Sequence, residues 1–188
     1  MNIKNNIILA LTIIAITLVT ACGNQHKAKE EHAGHNHTVA EHREDVPLTQ
    51  TSALVSLKDD QLNAIYQHYV HLTNALIKGD LAEAKIAANA IELGAKILPN
   101  GSALSSLSAK ISAAPSLDAQ RILYADLSNE FIAKVKSSGL SAGEIYVEYC
   151  PMALNDKGAS WLSNQKEIKN PYFGDSMMNC GEVKETLK

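Results

Sequence analysis

Between residues 56 and 138, apolar side chains recur three and four apart in four successive segments, and each segment has readable ends. That spacing puts them on one face of a helix, and such a face must be covered by another element. In the first segment the stripe is Leu62, Ile65, Tyr69, Leu72 and Leu76. Ser56-Leu57-Lys58-Asp59 has the form of a capping box with Ser56 as N-cap, and Gly79 is the stop. Asp80 with Glu83 caps the second segment, whose stripe is Leu81, Ala84, Ala88, Ile91, Ala95 and Leu98. Pro99-Asn100-Gly101 breaks it. Ser102 opens a shorter segment with Leu104, Leu107 and Ile111, which ends before Pro115. Ser116 caps the last, with Leu123, Leu127, Phe131 and Val135, and Gly139 ends it. Short links between amphipathic helices favour antiparallel neighbours. The expectation is a mainly α chain: an up-and-down helical bundle, followed by a short strand at Glu144–Tyr149 and a turn-rich C-terminal segment packed on it, with Trp161 as anchor. The stripes themselves are accounted for as core.

The front of the chain reads differently. Lys4 precedes an apolar run from Ile7 to Val19, too short for a comfortable membrane span. It ends in Val19-Thr20-Ala21-Cys22-Gly23, the form of a lipobox. The expectation is a lipoprotein signal peptide over 1–21, with Cys22 as the lipidated N-terminus, the chain being anchored in the cell envelope by acyl chains rather than by a transmembrane helix. Residues 22–55 read as a disordered tether that is polar, charged and histidine-rich, and residues 56–188 as the folded domain. With 17 basic and 20 acidic residues, and no basic block, nucleic acid is excluded as a partner.

Two clusters carry chemistry. In the tail, Cys150-Pro151-Met152 and Met177-Met178-Asn179-Cys180 concentrate thiols and thioethers, and every methionine except Met1 lies there. Thiolate and thioether are soft donors that select Cu(I), or Ag(I) as its mimic. Cys150 and Met152 share a face if extended, and Met177 and Cys180 share one on a helical turn. A closed loop would bring these four together. The same two cysteines suit a structural disulfide, since an exported chain meets oxidising conditions. Both readings stand. In the tether, His26, His32, His35, His37 and His42 are close in sequence, with His32, His35 and His37 densest. Imidazoles on a pliable segment can wrap Cu(II), zinc or nickel with little selectivity; a soluble spacer is the plainer reading. His68 and His71, three apart on the first helix, read as surface or boundary residues. No glycine-rich phosphate loop or nucleophile elbow is present in the sequence, and the cysteines are not a C-x-x-C, so no enzyme is expected.

Tyr149-Cys150-Pro151-Met152-Ala153, Gly158-Ala159-Ser160-Trp161-Leu162-Ser163, Ile168-Lys169-Asn170-Pro171-Tyr172-Phe173-Gly174 and Met177-Met178-Asn179-Cys180-Gly181-Glu182-Val183 together resemble the DUF3347 family. Tyr69-Val70-His71-Leu72-Thr73-Asn74-Ala75-Leu76, Gly79-Asp80 and Leu127-Ser128 fit the same family, so the resemblance spans roughly residues 57–185. Such domains occur alone in lipoproteins and attached to periplasmic adaptor subunits of copper/silver-type efflux systems. The resemblance therefore implies a metal ion and a heavy-metal efflux system as partners. It points to Cys150, Met152, Met177 and Cys180 as candidate ligands; Met178 falls where the family has another apolar residue. Cys-Pro-Met also resembles a heavy-metal motif of those adaptors, but Ala153 stands where that motif has histidine. The expected function is copper handling or tolerance. The alternative is a structural or interaction lipoprotein with a Cys150–Cys180 disulfide.

Overall fold

A computed structural model describes residues 54–188. The signal peptide, Cys22 and the tether histidines His26, His32, His35, His37 and His42 lie outside the described residues.

Four main helices are packed in series: α1 (Asp60–Lys78), α2 (Leu81–Ile97), α3 (Ser102–Ala113) and α4 (Leu117–Ser138). Local chemistry sets most of their ends. Gly79 adopts φ +71, a conformation that costs glycine nothing, and closes α1. The next residue, Asp80, accepts hydrogen bonds from the N–H groups of Ala82 and Glu83 at 3.0 Å and starts α2. Ser116 Oγ accepts from Ala119 N–H and caps α4. Buried Ala84, Ala87, Ala88 and Ala95 leave room for neighbours to approach α2 closely.

The start of α1 corrects the expectation for Ser56. Ser56 and Leu57 form strand β1 (Ser56–Leu57), paired antiparallel with β2 (Leu140–Ala142). Lys58 N–H adds a bond to Gly139 O. The cap is Asp59, whose Oδ1 accepts from Leu62 N–H at 2.9 Å. Long-range pairing with the far end of α4 therefore claims the backbone that a local capping box would have used, and the cap and helix start move three residues on.

Gly101 has an ordinary backbone but no room: a Cβ there would lie 2.1 Å from the carbonyl oxygen of Ala95 and 2.9 Å from that of Leu98. Neither oxygen can yield without opening the α2–α3 corner. Gly101→Ala is expected to destabilise the domain by about 1–3 kcal/mol, as overpacking does, read as a lowered denaturant midpoint at unchanged m-value; an unchanged midpoint would refute the close approach.

The tail is the second correction. The expected strand is there, as β3 (Ile145–Cys150), but the rest is more than turns. It supplies β4 (Ala159–Ser163) and β5 (Glu182–Leu187), giving a small antiparallel sheet in the order β4-β3-β5. β5 was hidden because it is an edge strand: Glu182, Lys184 and Glu185 are exposed, and charges on an edge discourage pairing with other chains. The sheet joins the helical core through Trp161, fully buried as the anchor expectation required, and through Tyr172, Val147 and Leu162.

Candidate metal centre

Cys150 ends β3 and is fully buried, and Cys180 precedes β5 and is half-buried. Antiparallel pairing of β3 with β5, with Tyr149 opposite Glu182, brings the two cysteines to the same end of the sheet. Both cysteines are free thiols, and the neighbouring Cys150 thiol, followed by burial, holds the Cys180 thiol above its usual pKa. The backbone of Met152, beside the Cys180 sulfur, acts in the opposite direction. The loop 151–179 is thus closed, as a sulfur site or a disulfide requires.

Asn170 closes it. Its fully buried side chain accepts from the N–H groups of Tyr172 (2.8 Å) and Phe173 (3.3 Å) and donates to Cys180 O at 2.7 Å. Its own backbone N–H bonds Met178 O at 2.8 Å. Arg121 of α4 bonds both Pro171 O (3.0 Å) and Leu76 O (3.1 Å), which fastens the loop to α1 and α4. Cys180 is therefore positioned by one asparagine whose hydrogen bonds all end within the tail.

The four predicted sulfur ligands fare differently. Cys150, Cys180 and the backbone of Met152 are brought together, and the Met152 side chain is 47% exposed at the rim. Met177 sits in the turn whose carbonyl accepts Cys180 N–H at 3.1 Å, with its side chain half-buried. Among the described residues no three His, Cys, Asp or Glu side chains converge on a metal-sized site, so a bound ion would need thioethers beside the two thiols. His68 and His71 are exposed on α1, and His71 Nε2 pairs with Glu83 at 3.0 Å. They do not join the sulfur cluster.

Two groups were missed in the sequence. Glu148 is fully buried, and neither carboxyl oxygen has a hydrogen-bond partner. Burial pushes its pKa up to about 8, offset in part by the Trp161 side chain opposite it in β4. A bulge between Val147 and Glu148 turns both inward, which strict alternation forbids. Glu148 and Cys150, two apart beyond the bulge, both point into the interior. The second is a hydroxyl network. Tyr69 Oη accepts from Leu162 N–H at 3.0 Å and from Tyr124 Oη at 2.9 Å, and lies 2.9 Å from Ser128 Oγ. Desolvation raises the Tyr69 pKa, so it remains a neutral phenol linking α1, α4 and β4.

A mostly helical domain with a small sulfur-bearing C-terminal sheet is the class these features define. Residues 65–143 match the family described as a protein of unknown function (DUF3347). The matched stretch runs from α1 through β2, and the sulfur-bearing tail follows it. No curated protein and no solved structure matches the chain.

Proposed function

We propose that the chain is a membrane-anchored lipoprotein of the cell envelope that binds a soft monovalent cation, Cu(I) or Ag(I), in copper handling or tolerance. Cys150 and Cys180 would bind as thiolates, with Met152 and Met177 as thioether donors. The observation that carries this reading is the contact between the two thiols at the end of the sheet, with Met152 at its rim. Two thiolates supplemented by neutral sulfur suit a soft ion and poorly suit magnesium or calcium. Because the thiols must lose protons on loading, binding tightens as pH rises. His32, His35 and His37 of the tether would collect copper, or more weakly zinc or nickel, and Cys22 would carry the lipid. No described helix is long and apolar enough to cross a membrane. A heavy-metal efflux system is the partner such a carrier would serve.

The same thiol contact favours the rival reading, a structural or interaction lipoprotein with a Cys150–Cys180 disulfide. The two readings part at Met152, which the soft-cation reading uses as a donor and the disulfide reading does not use at all. The test is a Cu(I) titration of the reduced protein against a competing chelator, beside the Cys150→Ser/Cys180→Ser variant. One ion bound per chain, and lost in the variant, is expected.

A further inference from the structure

Cys150 pairs with Ala159, yet the chain between them runs over residues 151–158, where hairpin loops need only about 2–5 residues. Within it Leu154, Asn155 and Asp156 hold φ of +55, +59 and +63 in succession. L-residues visit this left-handed region singly, at roughly 1–2 kcal/mol each. Asparagine and aspartate tolerate it best; leucine does not. The run persists because its surroundings hold it. Ala153 is fully buried, and Leu154 packs on the core. Asp156 N–H donates to Met152 O at 3.3 Å, and Gly158 N–H to Ala153 O at 3.0 Å. Gly158, at φ +76, lies so close to Tyr149 that a Cβ would sit 2.0 Å from its hydroxyl.

The strained run fixes one residue beside the thiols. Met152 is held through its backbone: its carbonyl accepts from Asp156 N–H, and its backbone lies beside the Cys180 thiol. Strain maintained beside a reactive cluster marks a conformation kept for what it presents, and what this turn presents is the exposed Met152 side chain.

We propose that the left-handed turn Leu154–Asp156 is a positioning device that sets Met152 as the third sulfur donor of the Cys150–Cys180 site, with Asn155 and Asp156 as positioning residues. The proposal rests on the soft-cation reading of the thiol pair. It makes the turn and Met152 act as one unit, so damage to either should cost the same donor.

The experiment uses the full chain carrying Cys22→Ser, so that only the two tail thiols titrate. Cu(I) affinity is measured by chelator competition, and the number of sulfurs around copper by X-ray absorption. Five variants are compared: Met152→Leu, Asn155→Val, their double variant, Asn155→Gly and Cys150→Ser/Cys180→Ser. A β-branched residue resists positive φ, and glycine accepts it. Met152→Leu and Asn155→Val are each expected to weaken binding about tenfold, the lower end of the usual loss from supporting positions around a metal, and to remove one sulfur from the wild-type count around copper. The double variant should be no weaker than either single, and Asn155→Gly should keep wild-type affinity and the wild-type sulfur count. If Asn155→Val does not fold, Asn155→Ala is read in its place. Unchanged affinity and sulfur count in the valine or alanine variant, with binding still lost in the double-serine variant, would overturn the positioning role and leave the soft-cation site standing. A wild-type chain that binds no tighter than the double-serine variant would overturn both.

Discussion

Glu148→Gln is expected to abolish most of the pH dependence of stability between about pH 4.5 and 8 in the reduced, metal-free protein. The Glu148 carboxyl ordinarily titrates near 4.5, and burial, only partly offset by the Trp161 side chain, pushes it up to about 8 in the folded state. Below 4.5 both states hold the proton. Between the two values the unfolded chain releases it while the folded chain keeps it, so unfolding is favoured progressively as pH rises. Above about 8 both states are ionised and the curve flattens. At about 1.4 kcal/mol per pKa unit, the total fall is on the order of 3–5 kcal/mol. Glutamine fills the same space without a titrating proton. Denaturant unfolding across this range should show the wild type losing stability toward alkaline pH and the variant holding nearly level. Parallel curves would mean that Glu148 is solvated or paired in solution.

The second large effect is expected at Tyr69. Tyr69→Phe keeps the ring, which stacks between Tyr66 and Tyr124 at 5.9 and 5.6 Å, and removes only the hydroxyl. That hydroxyl serves Leu162 N–H, Tyr124 and Ser128, all buried. A buried donor left unmatched costs about 1–3 kcal/mol, and the network leaves at least the Leu162 N–H and one hydroxyl without a partner. A loss of roughly 2–4 kcal/mol is expected. The outer Tyr146, whose hydroxyl bonds Glu144 at the surface, is the control: its Phe variant should stay within about 0.5 kcal/mol of wild type. Equal effects at the two tyrosines would show that the inner network contributes nothing specific.

These two sites also mark where the sequence stops being readable. Helix ends set by their own neighbours were legible: Gly79, Asp80, Ser116 and Gly139 all act where local chemistry places them. Ser56 was not, because its role is decided by Leu140 and Ala142 at the other end of the helices. β5 escaped notice because an edge strand can be polar, and Glu148 because a bulge breaks the two-residue period that assigns side chains to faces. The α4 stripe was read from its apolar members alone; Gln120, Tyr124 and Ser128 are equally buried there, and a hydropathy pattern cannot see a hydroxyl network. At the sulfur cluster the residue types were plain from composition and the closed loop was anticipated from spacing. The means of closure, Asn170 and a left-handed turn, depends on hydrogen bonds and backbone angles that spacing does not encode.

The most direct test of the central claim is the Cu(I) competition titration of the reduced full chain carrying Cys22→Ser, beside the same chain with Cys150→Ser/Cys180→Ser. The soft-cation reading predicts one tightly bound ion per chain that the double-serine variant loses. Equal Cu(I) uptake by the two proteins would contradict it, leaving Cys150 and Cys180 as a structural pair and any remaining copper with the tether histidines.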